Sequence, residues 1–341
     1  EELWSFSPGS QLYTWARAAG GGFHPRPQKD IRSIVSHRGL DMSEDGNTVA
    51  TSIRSNKIDI TDATGALIQT LEPPIPGGER LVYALSPTGR FLATGGADVQ
   101  VWEKTATGQF APSSHEMVGE MVGKINSFSE ANAEPKSLAT AQLAWSFDES
   151  LLAVATQSGF IQLWQVNSEG GMSPMDAWDT QLEDIHQLTF SPDGRLLAFA
   201  DNTHDIQIWT VAEARRVQTL AGHQSQIQDL AFRADGQQLA SASADRTVKI
   251  WQVREPDSAP EPEPDETALL RALTGYQGKV EALDFSPDGK LLATGSIDRD
   301  VRVWQLDELL VQDDLAYACD QVRDYLHHHP HVAPEARSLC D

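Results

Sequence analysis

A four-residue turn recurs along this chain and constrains its fold more than any other feature. Its first residue falls at Ser7 (SPGS), Ser43 (SEDG), Ser86 (SPTG), Ser146 (SFDE), Ser191 (SPDG), Arg233 (RADG) and Ser286 (SPDG). Proline presets φ, aspartate hydrogen-bonds its own backbone, and glycine supplies a positive φ, so each copy reads as a hairpin turn. The successive intervals are 36, 43, 60, 45, 42 and 53 residues. A period near 40 to 45 residues, with four short strands per unit, predicts a radial array of small antiparallel sheets.

The segments around the turn support this reading. An apolar strand precedes it at 188–190, 230–232 and 283–285, and a second follows at 196–200, 239–242 and 291–294. Strands that face neighbours on both sides read as nearly continuous apolar runs. A third strand alternates and ends in tryptophan at Trp102, Trp164, Trp209, Trp251 and Trp304. Alternation suits a strand further from the axis with one wetter face. Residues 285–304 contain the most regular copy. Two insertions lengthen the period. Residues 103–138 are polar, and 254–267 (REPDSAPEPEPDET) are too poor in apolar groups to offset their ordering entropy, which predicts a solvated loop.

These repeats resemble those of a WD-repeat β-propeller, over about residues 1–306. In that family a His, a Ser or Thr, an Asp and the Trp form a hydrogen-bonded structural tetrad within a blade. The resemblance assigns those roles here to His223, Ser241, Asp245 and Trp251. In the last repeat it assigns them to Thr294, Asp298 and Trp304, with Tyr276 where the His is expected. The second repeat has Ile58 to Thr61 where the Trp is expected, and the others are also incomplete.

The expectation is an all-β, seven-bladed propeller. A six-bladed ring follows if residues 31–36 close the last blade and residues 1–20 lie outside it. No fourth strand for the last blade is evident after Trp304, which leaves an exposed edge. Residues 307–341 form a separate helical extension, because Val311, Leu315, Cys319, Val322 and Leu326 fall at helical spacing and Pro330 ends the run. This tail resembles the helical end of cyanobacterial-type WD-repeat proteins, whose propeller often follows an NTPase, kinase or caspase-like effector domain. The amino end has no initiator methionine, which predicts a longer parent chain.

Composition narrows the partners. The net charge of −23 repels nucleic acid and anionic membrane, so neither is expected to bind. No apolar run approaches the roughly 20 residues that span a bilayer. Two cysteines, Cys319 and Cys340, are too few for a disulfide framework and suit a reducing, cytoplasmic compartment. They either bridge across a helical turn or stay as thiols. The cluster His327-His328-His329-Pro330-His331 has metal-binding chemistry, but no Cys, Asp or Glu at metal-site spacing surrounds it, and it reads as a solvated helix end. The chain lacks a P-loop, a GxSxG elbow and an HExxH helix, so no catalytic residue and no cofactor are expected.

Binding is therefore assigned to one face of the ring. Its turns between second and third strands carry Asp98, Gln157, Ser158, Asn202, Arg246, Arg299 and Asp300. The loops entering the first strands add Gln224, Ser225 and Gln277. Arg246 and Arg299 rank first, because arginine is enriched at interface centres. The reading is a non-catalytic protein-interaction platform for protein or peptide partners, with charge complementarity favouring basic segments. Two alternatives stand beside it: a module that regulates its own upstream effector domain, and a propeller that binds a small molecule or catalyses in its channel.

Overall fold

The recurrent turn closes as its residues dictate. The backbone N–H of the fourth residue donates to the carbonyl of the first in all six described copies: Gly46 to Ser43, Gly89 to Ser86, Glu149 to Ser146, Gly194 to Ser191, Gly236 to Arg233 and Gly289 to Ser286. The fourth position is left-handed throughout, including at Glu149 (φ 57°), where the glycine is missing. The opening serine adds a second bond that sequence reasoning missed. Its Oγ accepts the N–H of the returning strand at Thr48, Phe91, Leu151, Leu196 and Leu291.

A computed structural model describes residues 2–7, 11–17, 23–25, 39–53, 56–75, 81–96, 99–113, 139–167, 169–182, 184–255, 268–298 and 300–306. The amino-terminal segment forms a three-stranded sheet of β1 (Glu2–Ser7), β2 (Gln11–Arg17) and β3 (Phe23–Pro25). Six blades follow. Blade one is β4 (Gly39–Met42), β5 (Thr48–Ile53), β6 (Lys57–Asp62) and β7 (Leu67–Leu71). Blade two is β8 (Val82–Leu85), β9 (Phe91–Gly95), β10 (Val99–Lys104) and β11 (Phe110–Pro112). Blade three is β12 (Thr140–Trp145), β13 (Leu151–Thr156), β14 (Phe160–Val166) and β15 (Met172–Asp179). Blade four is β16 (Gln187–Phe190), β17 (Leu196–Ala200), β18 (Ile206–Thr210) and β19 (Arg215–Leu220). Blade five is β20 (Ile227–Phe232), β21 (Gln238–Ser243), β22 (Val248–Gln252) and β23 (Leu269–Leu273). Blade six has three strands, β24 (Val280–Phe285), β25 (Leu291–Ser296) and β26 (Val301–Gln305).

Every blade is an antiparallel meander in chain order. The second strands β9 and β17 are wholly buried, while β25 in blade six alternates, and the third strand β18 alternates as well. The core is divided among the seams between blades. One buried cluster joins blades one and two through Ile60, Leu92 and Trp102, and another joins two and three through Phe91, Trp145 and Leu152. Blades three and four share Trp178, Phe190 and Leu197, four and five share Leu220, Leu230 and Trp251, and five and six share Ile250, Leu283 and Leu292. On the far face of blade six, Val301 and Val303 are 36 % and 37 % exposed.

Among the described residues there are six blades, which corrects the expectation of seven. The described residues of the segment taken as the first blade make three strands, the last of them three residues long and ending at Pro25, where proline has no N–H for a ladder. Residues 31–36, invoked for a six-bladed closure, lie outside the described residues, as does the expected helical extension at 307–341 with Cys319, Cys340 and the histidine cluster. Every strand of the described residues belongs to these sheets. Within the segment read as an insertion after residue 103, β11 supplies the fourth strand of blade two.

Candidate interaction face

The end of the sheets where second-to-third turns meet first-strand entries is organised by blade five. Trp251 Nε1 donates to Ser241 Oγ at 2.8 Å, and Ser241 Oγ lies 2.7 Å from His223 Nε2. His223 Nδ1 lies 2.8 Å from Asp245 Oδ2. With the carboxylate accepting from Nδ1, a neutral ring takes the Ser241 hydroxyl proton at Nε2, and one chain of bonds runs from the buried indole to the surface. Asp245 then holds both loops of the face: it accepts from Gln224 N at 2.9 Å and from Thr247 N at 2.9 Å. Burial pushes this carboxyl up, but the bonds from His223, Thr247 and Gln224 outweigh it and hold Asp245 well below the usual carboxylate range.

Blade six reaches the same end with one substitution. Tyr276 Oη lies 2.6 Å from Thr294 Oγ1, and Trp304 Nε1 donates to both oxygens at 3.1 Å. The phenol cannot reach on to aspartate as imidazole does. Asp298 keeps only the loop bonds, accepting from Gln277 N at 2.8 Å and Asp300 N at 3.0 Å. Arg302 lies over the Tyr276 ring at 4.3 Å and donates to the carbonyls of Thr274 and Gly275. Blade two retains a fragment, Trp102 Nε1 to Thr94 Oγ1 at 3.1 Å.

The residues assigned to binding fall into three groups. Gln157, Asn202, Gln224, Arg246, Gln277 and Asp300 are exposed, and Ser225 is half-buried. Ser158 is buried against Thr156, 3.1 Å between hydroxyls, and presents no side chain to a partner. Asp98 and Arg299 lie outside the described residues. The face is continuous across blades three and four. Asp184 N donates to Gln157 O, Asn202 Nδ2 donates to Asp184 Oδ2 at 3.1 Å, and His186 Nε2 lies 2.6 Å from Asn202 Oδ1. Asp184 and His186 escaped the sequence reading because they occupy a loop with no motif. Among the described residues, four of the six non-glycine residues at positive φ (Gln181, Asp184, His204 and Arg246) sit at this end.

Among the described residues no group of three or more His, Cys, Asp or Glu could hold a metal ion, and no helix is long and apolar enough to cross a membrane. The family described as WD domain, G-beta repeat matches residues 214–252 and 267–305, the spans of blades five and six where the tetrad geometry is seen. Residues 214–252 and 267–305 are WD repeats, set in a chain that folds as a β-propeller. It is similar to "Cell division cycle 20.1, cofactor of APC complex" of Arabidopsis thaliana, 26 % identical over 156 residues that cover 46 % of this chain and 31 % of that protein. It is also similar to "Anaphase-promoting complex subunit cdc20" of Dictyostelium discoideum, 30 % identical over 122 residues (36 % and 22 %). "Protein groucho" of Drosophila melanogaster is 26 % identical over 154 residues (44 % and 20 %). The propeller chain thus matches a third or less of the length of these relatives.

Proposed function

We propose that this propeller is a non-catalytic protein-interaction platform, and that partners dock on the end carrying Gln157, Asn202, Gln224, Arg246, Gln277 and Asp300. One observation carries the reading. The loop carrying Gln224 is pinned to the buried Trp251 through Ser241, His223 and Asp245, and Asp298 ties the Gln277 and Asp300 backbones together beside it. Loops held by a rigid scaffold bind with little reorganisation cost. The names of the relatives, a cofactor and a subunit of larger complexes, support the same class. The net charge of −23 favours basic segments in the partner. A reducing, cytoplasmic setting and control of an effector domain in a longer parent chain are finer parts of the proposal.

The test is affinity capture from a cell extract with three forms of the protein. An Arg246→Glu, Gln277→Ala variant is expected to lose partners that the native chain retains. A Phe147→Ser variant alters the exposed Phe147 in the turn at the opposite end and should retain them. Equal recovery with all three forms overturns the choice of face. For the regulatory part, effector activity of the longer chain that is unchanged by removing the propeller sinks the idea.

A further inference from the structure

Four copies of the recurrent turn place aspartate directly before the closing glycine: Asp45-Gly46, Asp193-Gly194, Asp235-Gly236 and Asp288-Gly289. Their backbones are alike. Each glycine N–H donates to the carbonyl of the first turn residue at 2.8 Å, and the glycine φ values are 67°, 70°, 72° and 66°. All four aspartates are exposed. Each accepts the N–H two residues on, from Asn47, Arg195, Gln237 and Lys290 respectively.

The residue at the head of the turn separates them. Ser43, Ser191 and Ser286 each donate Oγ–H to the aspartate Oδ1 at 2.6 Å. In blade five Arg233 holds that position and has no hydroxyl. Its Nε stands 3.6 Å from Asp235 Oδ2, too far for a hydrogen bond, and its Nη1 donates to Gln238 Oε1 at 3.4 Å. The second position adds to the difference. Pro192 and Pro287 preset φ in their turns, and Glu44 is tied through its N–H to Pro87 O at 2.8 Å, whereas the blade-five turn has Ala234.

We infer that Asp235-Gly236 is a site of spontaneous isoaspartate formation, set apart from its three sister turns by the missing serine hydroxyl. In the first step the Gly236 backbone nitrogen attacks Asp235 Cγ. A new N–Cγ bond closes a five-membered succinimide, and the amide proton leaves with the carboxyl OH as water. Glycine allows the approach because it has no Cβ. Water then adds to either ring carbonyl. Addition at the α-carbonyl breaks the original bond between the Asp235 carbonyl carbon and the Gly236 nitrogen, and the chain now runs through Cγ. The water lost is regained, and nothing is oxidised or reduced. A serine hydroxyl opposes the first step by fixing the carboxyl and by stabilising its ionised form, which has no OH to lose. At Asp45 the bond from Ser43 is the main cause that holds the carboxyl below its usual range. The product adds one backbone atom between β20 and β21, the pair that sets Leu230 opposite Ser241.

Peptide mapping of the full chain aged in neutral buffer tests the inference, using mass-spectrometric fragmentation that distinguishes isoaspartate from aspartate at each site. Loss of a hydrogen bond to a charged group corresponds to about a factor of ten, so isoaspartate should build at 235 about tenfold faster than at 45, 193 or 288. Arg233→Ser should slow 235 to the rate of the other three, and Ser191→Ala should speed 193 towards the native rate at 235. Equal accumulation at all four sites, as in an unfolded chain, overturns the inference. So does an Arg233→Ser rate equal to the native one, or no isoaspartate at 235. Should either variant not fold, the comparison of the four sites in the native chain decides.

Discussion

Blades three and five have the same four strands, yet they bury their tryptophans by different means. In blade five the Trp251 indole starts a hydrogen-bond chain through Ser241 and His223 to Asp245. In blade three Val154 stands where Ser241 stands, and the buried Trp164 Nε1 has no partner. Blade three relies on packing instead: Trp145 stacks on Phe91 of blade two at 5.5 Å, and Trp178 on Trp209 of blade four at 6.1 Å. A blade can therefore bury its third-strand tryptophan without a hydrogen-bond partner for the indole. The network adds control over the loops, because only Asp245 joins a buried indole to the backbone of the surface turns.

The largest effect in this comparison should come from Trp251→Ala. The side chain is fully buried in the seam between blades four and five, and its loss should cost about 3–5 kcal/mol in denaturant unfolding. Ser241→Ala should cost less, about 2–4 kcal/mol, by leaving both Trp251 Nε1 and His223 without their shared partner. A loss below about 0.5 kcal/mol would mean that the network adds nothing to packing.

The converse change is expected to stabilise blade three. At the equivalent position Thr94 and Thr294 accept from a tryptophan and donate to the third-strand carbonyls of Gln100 and Arg302. Val154→Thr has the same two partners available in Trp164 Nε1 and the carbonyl of Gln162, its strand neighbour. It should gain about 1 kcal/mol, read as a higher urea midpoint. Equal or lower stability would show that the orphaned indole carries no cost. Tyr276→His should change stability by less than about 1 kcal/mol, since it exchanges the phenol's bonds to Thr294 and Trp304 for a new reach to Asp298.

Asp245 gives the smallest expected effect when changed to Asn, because the amide keeps the shape and one of the two oxygen acceptors that hold Gln224 N and Thr247 N. Its folded-state pKa is depressed, so its stabilisation is present above about pH 4 and is lost as pH falls below that value. Asp245→Asn should flatten the acid limb of the unfolding curve and leave the limb above pH 6 unchanged. An Asp245→Asn curve that changes above pH 6 instead would break the assignment.

Much of this was legible in the chain. The turn residues located the first and second strands, and the tryptophans located the third, because hairpin chemistry and burial on both faces leave local marks. The linking of His223, Ser241, Asp245 and Trp251 came instead from the resemblance to WD repeats, and hydrogen bonds join the four in the structure. The outer strands β7, β19 and β23 were not read, since they are solvated on one side or at one end and carry weak periodicity. Tyr276 was seen as a departure at the His position, but not as a hydrogen-bonding replacement. Inner-strand side chains that bond to the backbone of the next blade, Gln142 to His186 O, Gln187 to Gln228 O and Asp229 to Leu283 N, left only a faint sign, a polar residue inside an apolar strand.

The sequence by itself determined that the chain repeats a small antiparallel sheet, where each sheet turns, and which blade carries a full polar network. Those properties depend on residues within about 50 positions of one another. Only the tertiary structure decided the number of blades among the described residues, the burial of Ser158, and which inner-strand side chains latch one blade to the next. Seams join faces from different repeats, and a local pattern carries no record of which face it will meet.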